Sequence, residues 1–305
     1  MNLLRKEDIL FYTKEWQGER YEDGRPKVSD SLLERLKKVT TEEAVMAMIE
    51  KGYKHQFEGE LKRTNEKFRL VGRAVTAVMV PTRPDVHMNL LNAGREKYER
   101  HGYFNQWMVE SLEENDVLVV DMCDKILYGT YVGGNLSTAI KTRTKNGGAV
   151  IWGGIRDLEQ IVEIPDFQVY YRGLDPTPIG DMMMTGMNAP CRIGHAVCLP
   201  GDIVLGTISG VTFIPAHLAE FVASTAEKTH IKDVFGFERL ADGTYNSAQI
   251  DTTWTLEILE DFLSWMKTAE AARDYQHLDW SEELAAAQNP QKPKVFDGFV
   301  GYSTY

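Results

Sequence analysis

Residues Gly133 to Asp157 combine residue types and spacings that could do chemistry. The run opens Gly-Gly-Asn-Leu-Ser-Thr, continues as a helical pattern to Lys145, breaks at Asn146-Gly147-Gly148, passes through Ala149-Val-Ile-Trp152 and ends Gly-Gly-Ile-Arg-Asp. In physical terms it is a loop, a helix start, a helix, a strand, a loop and a second helix start. The first helix start leaves the backbone N–H groups from about Leu136 to Thr138 without intrahelical acceptors, beside the flexible pair Gly133-Gly134. Such an end attracts a small anion. The second loop follows a buried strand and presents Arg156 and Asp157, a cation and a metal-binding carboxylate. Open parallel sheets bind ligands at this end of their strands. The same residues also have a structural reading. Asp157 followed by Gln160 fits a helix capping box, Gly133-Gly134 fits a turn, and Arg156 fits a surface ion pair.

The elements that must position these residues follow from periodicity. Ser29-Asp30-Ser31 precedes a helical stripe at Leu32, Leu33, Leu36 and Val39. Thr40-Thr41-Glu42-Glu43 opens a second helix that Gly52 stops. Val71 to Val80 alternates, is rich in β-branched residues and ends at Pro81, which predicts a strand. Residues 88–112 read as a helix. Val117–Asp121, Ala149–Trp152 and Val169–Tyr171 read as short buried strands, with helices over about 136–145 and 157–162 between them. Strand and helix alternating at this spacing is an α/β pattern with parallel pairing. Ala196-Val-Cys-Leu, Asp202-Ile-Val-Leu and Val211-Thr-Phe-Ile read as three further strands, followed by a helix from Ala216 to about Lys228. This gives an expected division into an N-terminal extension (1–30), a core domain (31–228) and a C-terminal extension (229–305) that is helical around 255–273.

Composition bounds the rest. The chain has 305 residues, 43% of them hydrophobic, and 34 Lys+Arg against 45 Asp+Glu give a net charge of −11. A chain this long can bury a large core without disulfides or a structural metal. The acidic balance argues against general nucleic-acid binding, which needs clustered positive charge. No apolar stretch reaches eighteen residues, so no membrane span is expected. The opening Met-Asn-Leu-Leu-Arg-Lys-Glu-Asp lacks the apolar core of a signal peptide. Cys123, Cys191 and Cys198 have no paired or metal-type spacing. Together these features predict a cytoplasmic protein with reduced thiols.

The segment resembles the signature of the RraA-like family, which includes the regulator of ribonuclease activity A and the 4-hydroxy-4-methyl-2-oxoglutarate aldolases. The aldolases carry an acidic residue, twenty intervening residues and then Arg-Asp. Twenty residues likewise separate Asn135 from Arg156 here, and Asp157 follows. The resemblance extends in order over about 30–228. It takes in Leu32-Leu33-Glu-Arg-Leu36, Asn115-Asp-Val-Leu-Val-Val-Asp121, Tyr171-Arg-Gly173, Pro200-Gly-Asp-Ile-Val204 and Ser209-Gly-Val-Thr-Phe-Ile-Pro215. It implies an α/β/β/α swivelling-domain fold carrying helical N- and C-terminal appendages, assembled as a homotrimer or homohexamer with sites between subunits. It also implies a lyase using a divalent metal, Mg or Mn, on a small carboxylated substrate. Carried over by position, Asp157 would bind the metal. The first turn from Gly134, through the amides of Leu136 and Ser137, would hold a 2-oxo acid carboxylate, and Arg156 would contact oxygens at the reacting carbon. Asn135 occupies the place of the aldolase acid and cannot act as a base. The Asp-rich turn of the family appears here as Thr207-Ile-Ser-Gly210.

Two functions follow. The first is a metal-dependent aldolase or decarboxylase acting on a 2-oxo acid or related hydroxy-keto substrate through an enolate, which a hard cation and a fixed guanidinium would stabilise. The second is a non-catalytic regulator that binds a protein partner such as a ribonuclease, since fold does not fix function. A methyltransferase reading lacks any Gly-x-Gly nucleotide motif. Among other residues, Asp121 and Asp124 read mainly as turn formers and Arg172 equally as a site residue or an ion-pair partner. Asp85, His87, His195 and His217 read as local hydrogen-bonding groups, and Met182–Met184 as core or interface. Tyr12, Trp16 and the tail tryptophans are expected to pack the appendages on the core. Glu238 or Asp251 is a guess for a residue reaching a neighbouring site.

Overall fold

The run Val117-Leu118-Val119-Val120 divides between two cores by parity. Val117 and Val119 join Leu70, Ala74, Val150 and Phe213, whereas Leu118 and Val120 join Val75, Ala77, Ile151 and Val169. A strand buried on both faces needs no alternating polar residues, which explains the continuous apolar run. The computed structural model describes residues 6–288. The chain divides into two compact units at Ser224/Thr225.

In the first unit the described strands are β1 (Phe57–Glu58), β2 (Lys62–Arg63), β3 (Leu70–Pro81), β4 (Asp116–Asp121), β5 (Gly148–Ile155), β6 (Val169–Leu174), β7 (Met182–Met187), β8 (Cys191–Ile193), β9 (Ala196–Cys198), β10 (Ile203–Gly206) and β11 (Val211–Ile214). The main sheet runs β1-β11-β10-β3-β4-β5-β6-β2. Strands β3, β4, β5 and β6 are parallel neighbours in chain order. One edge of the long strand β3 is shared by two antiparallel partners, β10 along Leu70–Arg73 and β7 along Ala77–Pro81.

The helices of this unit are α1 (Lys6–Tyr12), α2 (Asp30–Leu36), α3 (Thr41–Glu50), α4 (Pro84–Tyr98), α5 (Phe104–Glu110), α6 (Gly134–Thr144) and α7 (Leu158–Ile161), and α8 (Ala219–Ala241) begins in it. Leu90, Trp107, Ile140 and Ile161, from α4 to α7, cover one face of the sheet, whose core also holds Met182, Met183 and Met184. The β8–β9 ribbon packs Cys191, Ile193, Ala196 and Cys198 on the other face. This mixed α/β layering agrees with the expected fold. The predicted capping signals are present: Ser29 accepts from Leu32 N–H, and Thr40 and Glu43 form a full capping box. The single helix expected over 88–112 is two helices, because Glu99 takes a left-handed conformation (φ 51°) and ends α4.

The second unit contains α9 (Ser247–Ile250), α10 (Leu256–Met266) and α11 (Ser281–Gln288). Trp254, Trp265 and Trp280, expected to pack an appendage on the core, share a cluster with Phe235 and Phe262 inside this unit. Glu238 accepts a hydrogen bond from Trp265 Nε1 (2.9 Å), and Asp251 caps the C-terminus of α9.

Candidate functional site

The loop after Tyr128 adds a parallel bridge to the C-terminal end of β5, Thr130 opposite Gly154. Tyr131 N–H donates to Gly154 O (2.9 Å) and Arg156 N–H donates to Val132 O (3.0 Å). These bonds bring the first turn of α6 beside Arg156 and Asp157. Gly133 is required by close approach, whereas Gly134 faces the exposed side chain of Gln160. A Cβ on Gly133 would lie 2.3 Å from Asp157 Oδ2, and one on Gly134 would lie 2.0 Å from Gln160 Oε1.

Asp157 has a left-handed backbone (φ 55°), a conformation that Asp tolerates better than most residues. It stands at the N-cap of α7 but makes no side-chain cap bond there. Its Oδ2 instead accepts the Gly134 N–H at 3.1 Å, across the loop. The capping-box reading of Asp157 is therefore replaced: its carboxylate faces the α6 N-terminus. Arg156 Nη1 lies 3.4 Å from Oδ2 and 3.5 Å from Oδ1 of Asp157, a long pair that leaves both side chains part-exposed.

Gly134, Asn135, Leu136, Arg156 and Asp157 thus converge. Ser137 does not join them as expected. Its N–H donates to Gly133 O (3.0 Å) within the helix, and its hydroxyl is fully buried without a partner. Helix geometry leaves the amides of Asn135 and Leu136 as the free first-turn donors. Gly133, Asn135, Leu136 and Arg156 line a cavity of about 80 Å³ closed by Asn105, Thr130, Tyr131, Pro178 and Ile179. Asn105 holds this wall, since its Nδ2 donates to Tyr131 O (2.8 Å). Thr130 Oγ1 donates to Thr177 O (2.6 Å). Sequence reasoning missed these wall residues because they carry no motif, and only the folded chain brings 105, 130 and 178 together.

Among the described residues no three His, Cys, Asp or Glu side chains converge as a ligand set. Among the described residues Asp157 is the acidic side chain that faces the α6 end, and Asn135, a neutral oxygen donor, lines the cavity next to it. Mg²⁺ is commonly held by one or two carboxylates completed by water and substrate oxygens, so this donor set fits a hard cation bound together with its substrate.

The remaining candidates lie elsewhere. Arg172 Nε pairs with Asp124 Oδ1 (2.9 Å), and its guanidinium stacks 4.5 Å from the Trp152 ring centroid. Asp121 accepts the Cys123 N–H (2.8 Å), and burial pushes its carboxyl up. Asp85 pairs with Arg83, and His87 Nε2 meets Tyr103 OH at 3.3 Å. His195 Nδ1 lies 3.1 Å from Glu58 Oε2. Glu58 is buried, yet the Glu60 and His195 N–H groups hold its carboxyl below the ordinary value.

Comparison with known proteins places these observations in a family. A profile of the RraA-like family, described as Aldolase/RraA, matches residues 26–213. A protein of Halalkalibacterium halodurans named "putative 4-hydroxy-4-methyl-2-oxoglutarate aldolase" is 32% identical over 124 residues. That match spans 39% of this chain and about half (55%) of the relative's length. Among solved structures, Streptomyces coelicolor RraAS2, described as an unusual member of the RNase ES inhibitor RraA family, superposes with a TM-score of 0.59 at 22% identity. It covers 70% of this chain and 100% of its own. An uncharacterized Pseudomonas syringae protein superposes with a TM-score of 0.62 at 18% identity, covering 78% of this chain and 100% of its own. At these identities the superpositions establish the fold.

Proposed function

The chain belongs to the RraA-like family, and from that premise we propose that it is a divalent-metal-dependent carbon–carbon lyase acting on a small 2-oxo acid. One observation carries the proposal: the first turn of α6 and Arg156 line one small cavity at the end of a parallel strand, and the Asp157 carboxylate stands beside them, 3.1 Å from the Gly134 N–H and 3.4 Å from Arg156 Nη1. The Asn135 and Leu136 amides, at the positive end of the helix, bind the substrate carboxylate. Arg156 faces the oxygen that gains charge as the enolate forms, and its planar guanidinium stays protonated throughout. Asp157, with Asn135 as a neutral donor, would hold Mg²⁺ or Mn²⁺. When bound, the metal would supply Lewis acidity that stabilises the enolate charge.

Asn135 bears on the choice of reaction. Retro-aldol cleavage requires a base for the substrate hydroxyl, a role that neither Asn135 nor Arg156 fills and that would fall to a metal-activated water. Decarboxylation of a 3-carboxy-2-oxo acid needs no base. The C–C bond to the carboxylate breaks, CO₂ leaves, the electron pair enters the enolate, and water protonates it to pyruvate. The residues present favour this second reaction. We further infer a homo-oligomer, trimeric or hexameric, working in the cytoplasm; among the described residues no helix is long and apolar enough to cross a membrane.

The test is pyruvate release, coupled to lactate dehydrogenase, with Mg²⁺ or Mn²⁺ over oxaloacetate and a panel of 4-hydroxy-2-oxo acids. Metal-dependent turnover lost in Asp157→Ala and Arg156→Ala is expected. Absence of enzyme-dependent pyruvate across the panel would refute the reading. It would favour the regulator alternative, for which Leu127 and Tyr128, 64% and 72% exposed at a loop tip, offer an apolar contact.

A further inference from the structure

We propose that a second cavity, walled by the N-terminal segment and the Tyr53–His217 pair, binds a small alkylammonium ion. The cavity has a volume of about 240 Å³ and is distinct from the Arg156 site. Its chemistry comes from Tyr12, Glu15, Trp16, Tyr53, Asp202 and His217. Two of these are carboxylic acids, three are aromatic rings, and no lysine or arginine is among the described lining residues. Lys14, outside this lining, pairs only loosely with the exposed Glu15 (3.9 Å), and rings with acids suit a cation with an apolar body, through cation–π attraction and charge pairing.

Asp202 is the decisive group. It sits at the Pro200-Gly201-Asp202 turn, almost wholly buried, and its Oδ2 accepts the Leu199 N–H at 2.8 Å. The comparably buried Asp116 is compensated by Arg25, whereas no ion pair is made by Asp202 among the described residues. A buried carboxyl without a countercharge is costly to ionise. Consistent with this, burial pushes Asp202 up to about 7. A carboxylate has about four acceptor positions, so its backbone bonds leave room for a further donor. A bound ammonium would supply both the missing donor and the missing charge. His217 does not supply the charge, because burial holds its imidazole below the ordinary value and its Nε2 is engaged with Tyr53 OH at 3.0 Å. The titratable groups facing Asp202 and the cavity from the neighbouring elements are Tyr12 and Glu15, Tyr53, Cys198 and His217, with Lys14 paired to Glu15 behind them.

The experiment is calorimetric titration of the full chain with n-butylammonium chloride, with putrescine as a diamine probe and n-butanol as the neutral isostere. Butylammonium is expected to bind at pH 8 at least tenfold more tightly than butanol. Binding should weaken about tenfold at pH 6, following the loss of ionised Asp202. Asp202→Asn should weaken binding and flatten that pH dependence. Glu15→Gln, at an exposed position that leaves the core untouched, should also weaken it, so the test survives if the Asp202 variant folds poorly. The proposal is overturned if neither amine binds, if butanol binds equally well, or if binding is unchanged in both variants.

Discussion

Replacing Arg25 by methionine should unfold the first unit far more readily than an ordinary surface change. Arg25 is 1% exposed; its Nη1 lies 3.0 Å from Asp116 Oδ1 and its Nε 2.7 Å from Asp23 Oδ2. Its guanidinium also stacks 4.5 Å from the Tyr21 ring centroid. Asp116 begins β4 and is fully buried, so desolvation keeps its carboxyl above the ordinary value even with Arg25 pulling it down. Methionine preserves much of the apolar volume but strands Asp116 with one remaining bond, from the Glu113 N–H (2.9 Å). Removing one partner of a buried pair costs about 3–5 kcal/mol. For a domain of this size that lowers Tm by roughly 6–20 °C. The double variant Arg25→Met/Asp116→Asn removes the stranded charge and keeps an acceptor for Glu113, so it should regain more than half of the loss. Urea and thermal denaturation of both variants and of the single variant Asp116→Asn measure this. A single-variant cost below about 1 kcal/mol, or simple additivity in the double variant, would refute the reasoning.

Two further predictions concern the sites. Gly133→Ala places a Cβ against Asp157 Oδ2 and the Arg156 side chain and should lower pyruvate formation at least about tenfold, as small misplacements do. Gly134→Ala meets only the side chain of the exposed Gln160, whose amide end can swing away, and should leave the rate within about threefold; steady-state kinetics of both variants separates the cases. For Asp202 the folded-state pKa lies above the unfolded value, so its stabilising effect is complete below about pH 4 and is lost as pH rises through about 7. Between pH 5 and 8 this group alone should remove roughly 2–3 kcal/mol, and denaturation of Asp202→Asn across that range should show a flatter profile.

Much of the first unit was legible because parity and capping are local signals. The strand predicted over Val71–Val80 is β3, and those predicted over Val117–Asp121 and Ala149–Trp152 are β4 and β5. The strand β7 was not legible. Met182-Met-Met184 has no alternation, and it becomes a strand by pairing with the far end of β3. The convergence of Arg156 and Asp157 with the α6 start followed from loop–helix–strand order. The loss of the Ser137 amide did not, because it depends on the helix beginning at Gly134 rather than Leu136. Arg25 reads as an ordinary polar residue in sequence; its partner Asp116 lies ninety-one positions away, and only the fold makes it a buried cation.

The proposed lyase reaction requires the α6 amides, Arg156 and Asp157 to hold a 2-oxo acid together with a divalent cation. Calorimetric titration with oxalate, a planar dianion shaped like the pyruvate enolate, tests it most directly. It would be run with and without Mn²⁺, on the unaltered chain and on Asp157→Ala and Arg156→Ala. The account predicts Mn²⁺-dependent binding that weakens at least tenfold in each variant. Oxalate binding that ignores Mn²⁺, or that survives both substitutions unchanged, would contradict it.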